Sequence, residues 1–485
     1  MKAFGNRLLG MTLLSLLIQA AHGARWTHEE SLMISEAYTD NVRLTEDDRE
    51  GRWATIISPN FTINGEGRRI RLSAAGALQF ISNSAQTFYP VLRAQASAEL
   101  VKRHFFIDAN ASASQITVNP LRPAGSPIND TGNITTNYHL SINPYFVTRL
   151  DDAADLRLDY RLGHDFYVGK EINDRSTHDF RFSLTDSVGF GPLSWGLLGD
   201  YSKTYYDSDN RTDTTRRSLQ ARLGYSLDRT LSAYASVGRE WNQYTGSTTR
   251  NGGEVWQVGM IWQPNPRFSL DLGYGYRFFG HHPTVAISYR HRHSTFKLRY
   301  KEDLESGYYN GDIGGILADQ DIAGHPQDPF GGGQLDGGGR ARIADAALEG
   351  ANVNRMLRGD YLLTGKRSRL SITASYSFRT WEARPDELRE LELYARFDRR
   401  LAKNFSLDLG LGWSRTEDET DFRADTWDAR VAVNRKLGRY TTLRFSYTHA
   451  QRDSNRPDDD YRENRVALVL NTSLRKLLRQ AGIRP

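Results

Sequence analysis

The chain has 485 residues, no cysteine, 63 Lys+Arg against 58 Asp+Glu, and a mean hydropathy of −0.60. Without cysteine there is neither a disulfide framework nor a lipid-modified cysteine; a formal charge of only +5 with no compact basic run excludes a nucleic-acid binder. So polar an average suggests disorder, but 24 Tyr, 21 Phe and 9 Trp oppose it, because disordered chains are poor in aromatics.

The first 23 residues read as a secretory signal. Lys2 and Arg7 precede an apolar run, Leu8 to Ile18, and Ala21-His22-Gly23 forms a small-residue cleavage site before Ala24. The run is shorter than the roughly 20 apolar residues of a membrane-spanning helix. Residues 24–475 then repeat one pattern. In Asp155–Phe166, Leu156, Leu158, Tyr160 and Leu162 alternate with Arg157, Asp159, Arg161 and Gly163. Arg229–Trp241, Arg267–Phe279, Asn404–Trp413 and Arg439–His449 alternate in the same way, as strands with one apolar and one polar face do. Short turns such as "SLDRTLS", "WQPNPRFS" and "LAKNFS" alternate with longer polar connections such as "DSDNRTDTT" and "TEDETDFRADT". The spacing predicts about 22 strands (range 18–22), among them 31–44, 178–189, 267–279 and 284–292. Two long loops, 117–135 and 305–351, and a short periplasmic tail, 476–485, complete the division.

Strands of roughly 10 to 15 residues suit a bilayer, which a tilted strand crosses in about 9–11 residues, better than a sandwich built from strands of about 5–6. The fold class expected is all-β, a closed antiparallel transmembrane barrel of the bacterial outer membrane. An even strand number places both termini on the periplasmic side with the short turns. The apolar stripes then face lipid. Their aromatic ends, Trp195, Tyr205, Phe268, Phe278, Phe405 and Trp413, are assigned to the interfacial girdles. The polar face lines the lumen, with Arg157, Asp159, Arg161, Arg222, Asp271, Arg277, Arg299, Lys301, Arg396, Asp428, Arg430 and Arg444 as lining residues. Two readings of these charges stay open: ion pairs bracing the wall, or a cationic lining that passes an anionic polymer.

Other motifs carry little chemistry. "GGGQLDGGG" (Gly331–Gly339) is followed by Arg340-Ala341-Arg342, not the Gly-Lys-Ser/Thr of a phosphate loop, and reads as an external loop that narrows the lumen, with 325–345 as the constriction. His281-His282 and His291/His293 lack converging ligands. No catalytic constellation, metal site or cofactor site is expected, and the chain is read as a non-enzyme. Acidic loops such as Glu46-Asp47-Asp48 are placed to meet divalent cations bridging lipopolysaccharide.

"SEAYTDNVRLT" (Ser35–Thr45), through Tyr38-Thr39-Asp40-Asn41 and Leu44, resembles the opening strand of the outer-membrane barrels associated with PEP-CTERM/exosortase and exopolysaccharide gene clusters. That resemblance implies an outer-membrane pore, a passive conduit or assembly component for exopolysaccharide export. Its implied partners are outer-membrane lipid and lipopolysaccharide, an anionic polysaccharide, periplasmic export proteins and the barrel assembly machinery. A general small-solute porin and a structural or adhesive surface barrel are the alternatives.

Overall fold

The computed structural model describes residues 24–474 apart from 120, 124, 170–171, 188–190, 208–212, 244–251, 307–350 and 382–386. The signal segment 1–23, the tail 476–485 and nearly all of the 305–351 loop, with its proposed constriction at 325–345, lie outside the described residues.

Twenty-two strands follow one another. They are β1 (Arg25–Thr39), β2 (Arg52–Glu66), β3 (Ile70–Ile81), β4 (Phe88–Val101), β5 (Phe105–Thr117), β6 (Ile134–Leu150), β7 (Ala154–Tyr167) and β8 (Arg175–Asp186). Next come β9 (Leu193–Tyr206), β10 (Thr214–Ser226), β11 (Leu231–Gln243), β12 (Gly252–Asn265), β13 (Phe268–Arg277), β14 (Gly280–His291) and β15 (Ser294–Ser306). The series ends with β16 (Ala351–Thr364), β17 (Ser368–Trp381), β18 (Glu387–Ala402), β19 (Phe405–Asp418), β20 (Arg423–Lys436), β21 (Thr441–Ser454) and β22 (Tyr461–Ser473). Each pairs antiparallel with the next, and Ser31–Thr39 of β1 pairs with Arg465–Ser473 of β22. The sheet therefore closes on itself, and no edge is left exposed to lipid.

Closure settles which way the apolar face points. Leu411 is 62% exposed, Val237 63% and Trp53 60%, whereas the alternate residues Asp408, Ser58 and Arg444 are buried. Apolar side chains so exposed around a closed sheet are the lipid face of a barrel of the outer membrane. Trp195 and Tyr205 lie ten residues apart on the outer face of β9. At about 3.3 Å per residue and a tilt near 40°, that separation gives roughly 25 Å, the height of an outer-membrane apolar band. The short turns mark the periplasmic end, shared by both termini. Side chains at Gly410 and Gly412 would intrude on inward neighbours: a Cβ at Gly412 would lie 2.1 Å from Asp428 Oδ1, and one at Gly410 would lie 3.2 Å from the Tyr394 hydroxyl.

Boundaries differ from the sequence expectation where side chains capture backbone. The first strand, expected at 31–44, ends at Thr39. Asp40 accepts the Asn464 backbone N–H and side-chain amide, both at 2.7 Å. Asn41 accepts the Thr45 N–H through Oδ1 and donates to the Thr45 carbonyl at 2.6 Å, curling the chain into a turn. The strand expected at 178–189 runs from Arg175 to Asp186. The strand expected at 267–279 stops at Arg277, which removes Phe278 from the girdle. Its N–H donates to Glu240 at 3.2 Å, and its ring is buried against Leu304, Val353 and Phe279. The correction has a simple cause: the carboxylate of Glu240 holds the chain where alternation alone would have continued the strand.

Candidate functional site

The extracellular mouth is crossed by the chain between β5 and β6. Asn133 ties the base of this segment together: its Oδ1 accepts the Asn119 N–H at 2.7 Å and its amide donates to the Asn119 carbonyl at 2.9 Å. From that base the segment reaches the other side of the barrel. Leu121 packs against Trp381 and Leu388, inward residues at the extracellular ends of β17 and β18. On β21, Arg452 donates to the Leu121 carbonyl at 2.6 Å. Strands β17 and β18 lie close to diametrically opposite β5 and β6 in a closed 22-strand order. The segment 118–133 is therefore a strap that spans the mouth.

A second anchor holds the strap to the closing seam. Ile128, 1% exposed, enters an inward apolar cluster with Ala37, Ala54, Ile56, Ile81, Tyr89 and Ala467. Beside it, Asn129 accepts the Ser126 N–H and hydroxyl, both at 2.7 Å, and donates to the Glu463 carboxylate at 3.0 Å and the Asn41 carbonyl at 3.3 Å. Thr39 donates to the same Glu463 oxygen at 2.7 Å. The Asp130 N–H reaches the Val42 carbonyl at 2.7 Å, and Ser84 donates to the Pro127 carbonyl at 3.0 Å. Glu463, 4% exposed, thus has its charge met by donors from both the seam and the strap. Thr39 and Asn41, at the end of β1 and just beyond it, build this anchor with Glu463.

Along the inner wall, a cavity of about 820 Å³ runs from β4 to β15, lined by strand residues and by none of 118–133. Its lining mixes arginines and carboxylates with Asn, Ser, Thr and Gln side chains. Asp165, a buried acid of this lining, is bonded to His139 at 2.8 Å and to Arg175 at 2.9 Å. Arg277 donates to Glu240 at 2.8 Å and to Asp303 at 2.9 Å.

Strand register places all twelve lining residues named from the sequence on the face opposite the lipid-exposed stripe. Arg157 makes two 2.7 Å bonds to Asp159 and stacks over Tyr145. Arg161 lines the cavity. Arg222 stacks 4.2 Å from the Tyr234 ring centre, and the Tyr234 hydroxyl donates to Asp271 at 3.3 Å. Arg396 bridges Asp398 and Asp408, which lie directly opposite each other on β18 and β19. Asp428 and Arg430 flank Gly412 and Gly410, while Arg444 donates to Asn434 at 3.3 Å. Arg299 and Lys301 sit on the same inward row of β15. Arg157, Arg277 and Arg396 are each met by carboxylates, the geometry of ion pairs bracing a wall.

Of the girdle residues, Trp195, Phe268 and Phe405 begin their strands at the periplasmic interface, with the Phe268 ring 5.5 Å from Trp262. Tyr205 is 40% exposed toward the outer interface, and the Trp413 ring lies 5.8 Å from Trp427. The histidines form no metal site: among the described residues no three ligating groups converge, and His281 and His282, adjacent on β14, point to opposite faces. Sequence reasoning missed Leu121, Asn129, Asn133 and Glu463. The only signal was the proline-rich composition of 117–135.

No protein-family model and no curated protein matches this chain. Solved structures do. The FrpB iron transporter from Neisseria meningitidis is similar over 92% of this chain and 82% of its own, with a TM-score of 0.50 and 11% identity. The siderophore receptor PirA from Pseudomonas aeruginosa matches 92% of this chain and 81% of its own, at TM-score 0.48 and 10% identity. A mutant of the ferric enterobactin receptor PfeA, also from Pseudomonas aeruginosa, matches 92% and 80%, at 0.49 and 10%. At these identities the likeness is one of fold. The expected polysaccharide conduit or general porin is corrected to this extent: the similar barrel that reaches a TM-score of 0.50 is named an iron transporter, not a polysaccharide conduit or a porin. Of the expected partners, outer-membrane lipid is the one the exposed apolar face supports.

Proposed function

We propose that this barrel is a gated uptake receptor: it captures one polar ligand at its extracellular mouth and admits it past the 118–133 strap. The observation that carries the reading is the strap itself, fixed at both sides of the mouth of a barrel whose inner wall holds a cavity of about 820 Å³. That volume falls in the range of a site for one small ligand, roughly 300–1,000 Å³. The lining, where Arg175, Arg181 and Arg277 are met by carboxylates among Asn, Ser, Thr and Gln side chains, favours a ligand that offers hydroxyl and amide groups beside its charge.

The test is a binding titration on the purified barrel, followed by tryptophan fluorescence, with a ferric catecholate, a ferric hydroxamate and a neutral oligosaccharide as probes. Saturable binding of one probe class, weakened by substitutions at Asn143 and Gln95 in the cavity wall, is the expected result. A barrel that binds none of them, yet conducts ions freely in a planar bilayer, contradicts the proposal.

A further inference from the structure

The two ends of the barrel carry opposite charge. Outer loops hold the acidic runs Glu46–Asp48, Glu417–Asp421 and Asp458–Asp460. At the periplasmic end, eight of the ten short turns carry Arg or Lys, the exceptions being 151–153, with Asp151 and Asp152, and the uncharged 187–192. Arg69, Arg103, Arg229, Arg267, Arg367 and Arg439 each come from a different turn, and every one is exposed. The turns after β14 and β18 add Arg292 and Lys403.

None of these eight cations lies within ion-pair distance of a carboxylate among the described residues. The acids on this rim are few and mostly engaged elsewhere. Asp228, beside Arg229, accepts the Thr230 and Leu231 N–H groups at 2.6 and 2.9 Å. Glu99 accepts the Arg103 N–H, and Asp155 pairs with Arg149. In the lumen, by contrast, arginine after arginine is matched by a carboxylate. The rim cations are left without counter-charge in a place where the chain had the means to supply it.

We infer that this basic ring binds the phosphate headgroups of anionic phospholipids in the inner leaflet of the outer membrane. The depth is right: the cations stand in turns just beyond the periplasmic aromatics Phe268, Phe405 and Tyr440, and the Arg439 guanidinium lies 5.8 Å from the Tyr440 ring centre. The distribution is right as well. Basic turns run from β10 round to β21 and recur between β2 and β5, so they follow the lipid annulus. A soluble acidic partner would instead need one concentrated patch. Juxtamembrane Arg and Lys attract anionic headgroups strongly, and that attraction is screened by salt.

The experiment uses the whole barrel in bilayers made with brominated phosphatidylglycerol or brominated phosphatidylcholine, reading tryptophan quenching. Trp262, 40% exposed and four residues before the 266–267 turn, is a reporter near this depth. The wild type is expected to prefer the anionic lipid about threefold at low salt, with the preference lost at high salt. The combined variant Arg229→Gln, Arg267→Gln, Arg367→Gln and Arg439→Gln is expected to quench equally with both lipids. Equal quenching of the wild type by the two lipids overturns the inference and leaves the ring to an acidic soluble partner. A preference that survives the combined variant, or high salt, overturns it too. The salt series on wild-type protein decides the matter even if the variant does not fold.

Discussion

Replacing Asn129 by alanine should release the strap. The side chain accepts from the Ser126 N–H and hydroxyl and donates to the Asn41 carbonyl and the Glu463 carboxylate. The two Ser126 bonds are internal to the strap; the bond to the Asn41 carbonyl at about 1 kcal/mol and the one to the charged Glu463 at about 1.5 kcal/mol sum to roughly 2.5 kcal/mol of docking energy. A loss of that size shifts the ratio of docked to released strap by a factor of about 10². Glu463 would keep the Thr39 hydroxyl but lose its partner from the strap. The assay is single-channel recording in planar bilayers: wild type should be nearly silent, and Asn129→Ala should show long openings. Substituting Asn143, which lies on the inner wall well away from the strap, should leave the record silent. A wild type that is already open, or a variant as silent as its parent, refutes the claim that the strap closes the mouth.

Leu121→Ala should act in the same direction from the other side of the barrel. It removes packing on Trp381 and Leu388 worth about 2–3 kcal/mol, visible as a shift in tryptophan emission together with channel openings. Gly259→Ala should destabilise the barrel by about 1–3 kcal/mol in urea unfolding, because its Cβ would meet Tyr234 Cζ at 2.4 Å and the Leu272 carbonyl at 2.5 Å. Arg396→Ala leaves Asp398 and Asp408 face to face without their bridge and should cost about 3 kcal/mol, with Arg396→Lys recovering only part. In the periplasmic turn, bonds from the Thr230 N–H and hydroxyl and from the Leu231 N–H hold the Asp228 carboxyl below the usual carboxylate range. The stabilisation of this turn is therefore present at neutral pH and is lost only as the pH falls through that lowered value. Titration of the Asp228 carboxyl by NMR should give a midpoint below that of a free aspartate, and a midpoint at or above it contradicts the turn geometry.

The barrel was legible because alternation is a local property. Leu407, Leu409, Leu411 and Trp413 fall on one face whatever their neighbours do, and strand length separates a membrane barrel from a sandwich. The end of β13 was not legible. Phe278 continues the alternation of Leu270 to Tyr276, and only Glu240, two strands away, explains why it turns aside. Alternation alone groups the polar residues of a strand on one face, but what their charges do depends on partners from adjacent strands. That Asp408 is one of two carboxylates under Arg396 needs the register of β18 against β19. The strap was the least legible part. Its anchors, Leu121 with Leu388 and Asn129 with Glu463, join residues hundreds of positions apart, and attention to long loops favoured the glycine-rich 305–351 instead.

The central claim is that the 118–133 strap spans the mouth and must move for a ligand to enter. The chain contains no cysteine, so a Leu121→Cys, Leu388→Cys pair can be oxidised without competing thiols. In intact outer membranes, mild oxidation should join the two positions, stop uptake of whichever probe the barrel binds, and release it again on reduction. A pair that never cross-links, or a cross-linked barrel that takes up its ligand at the unmodified rate, would contradict the account.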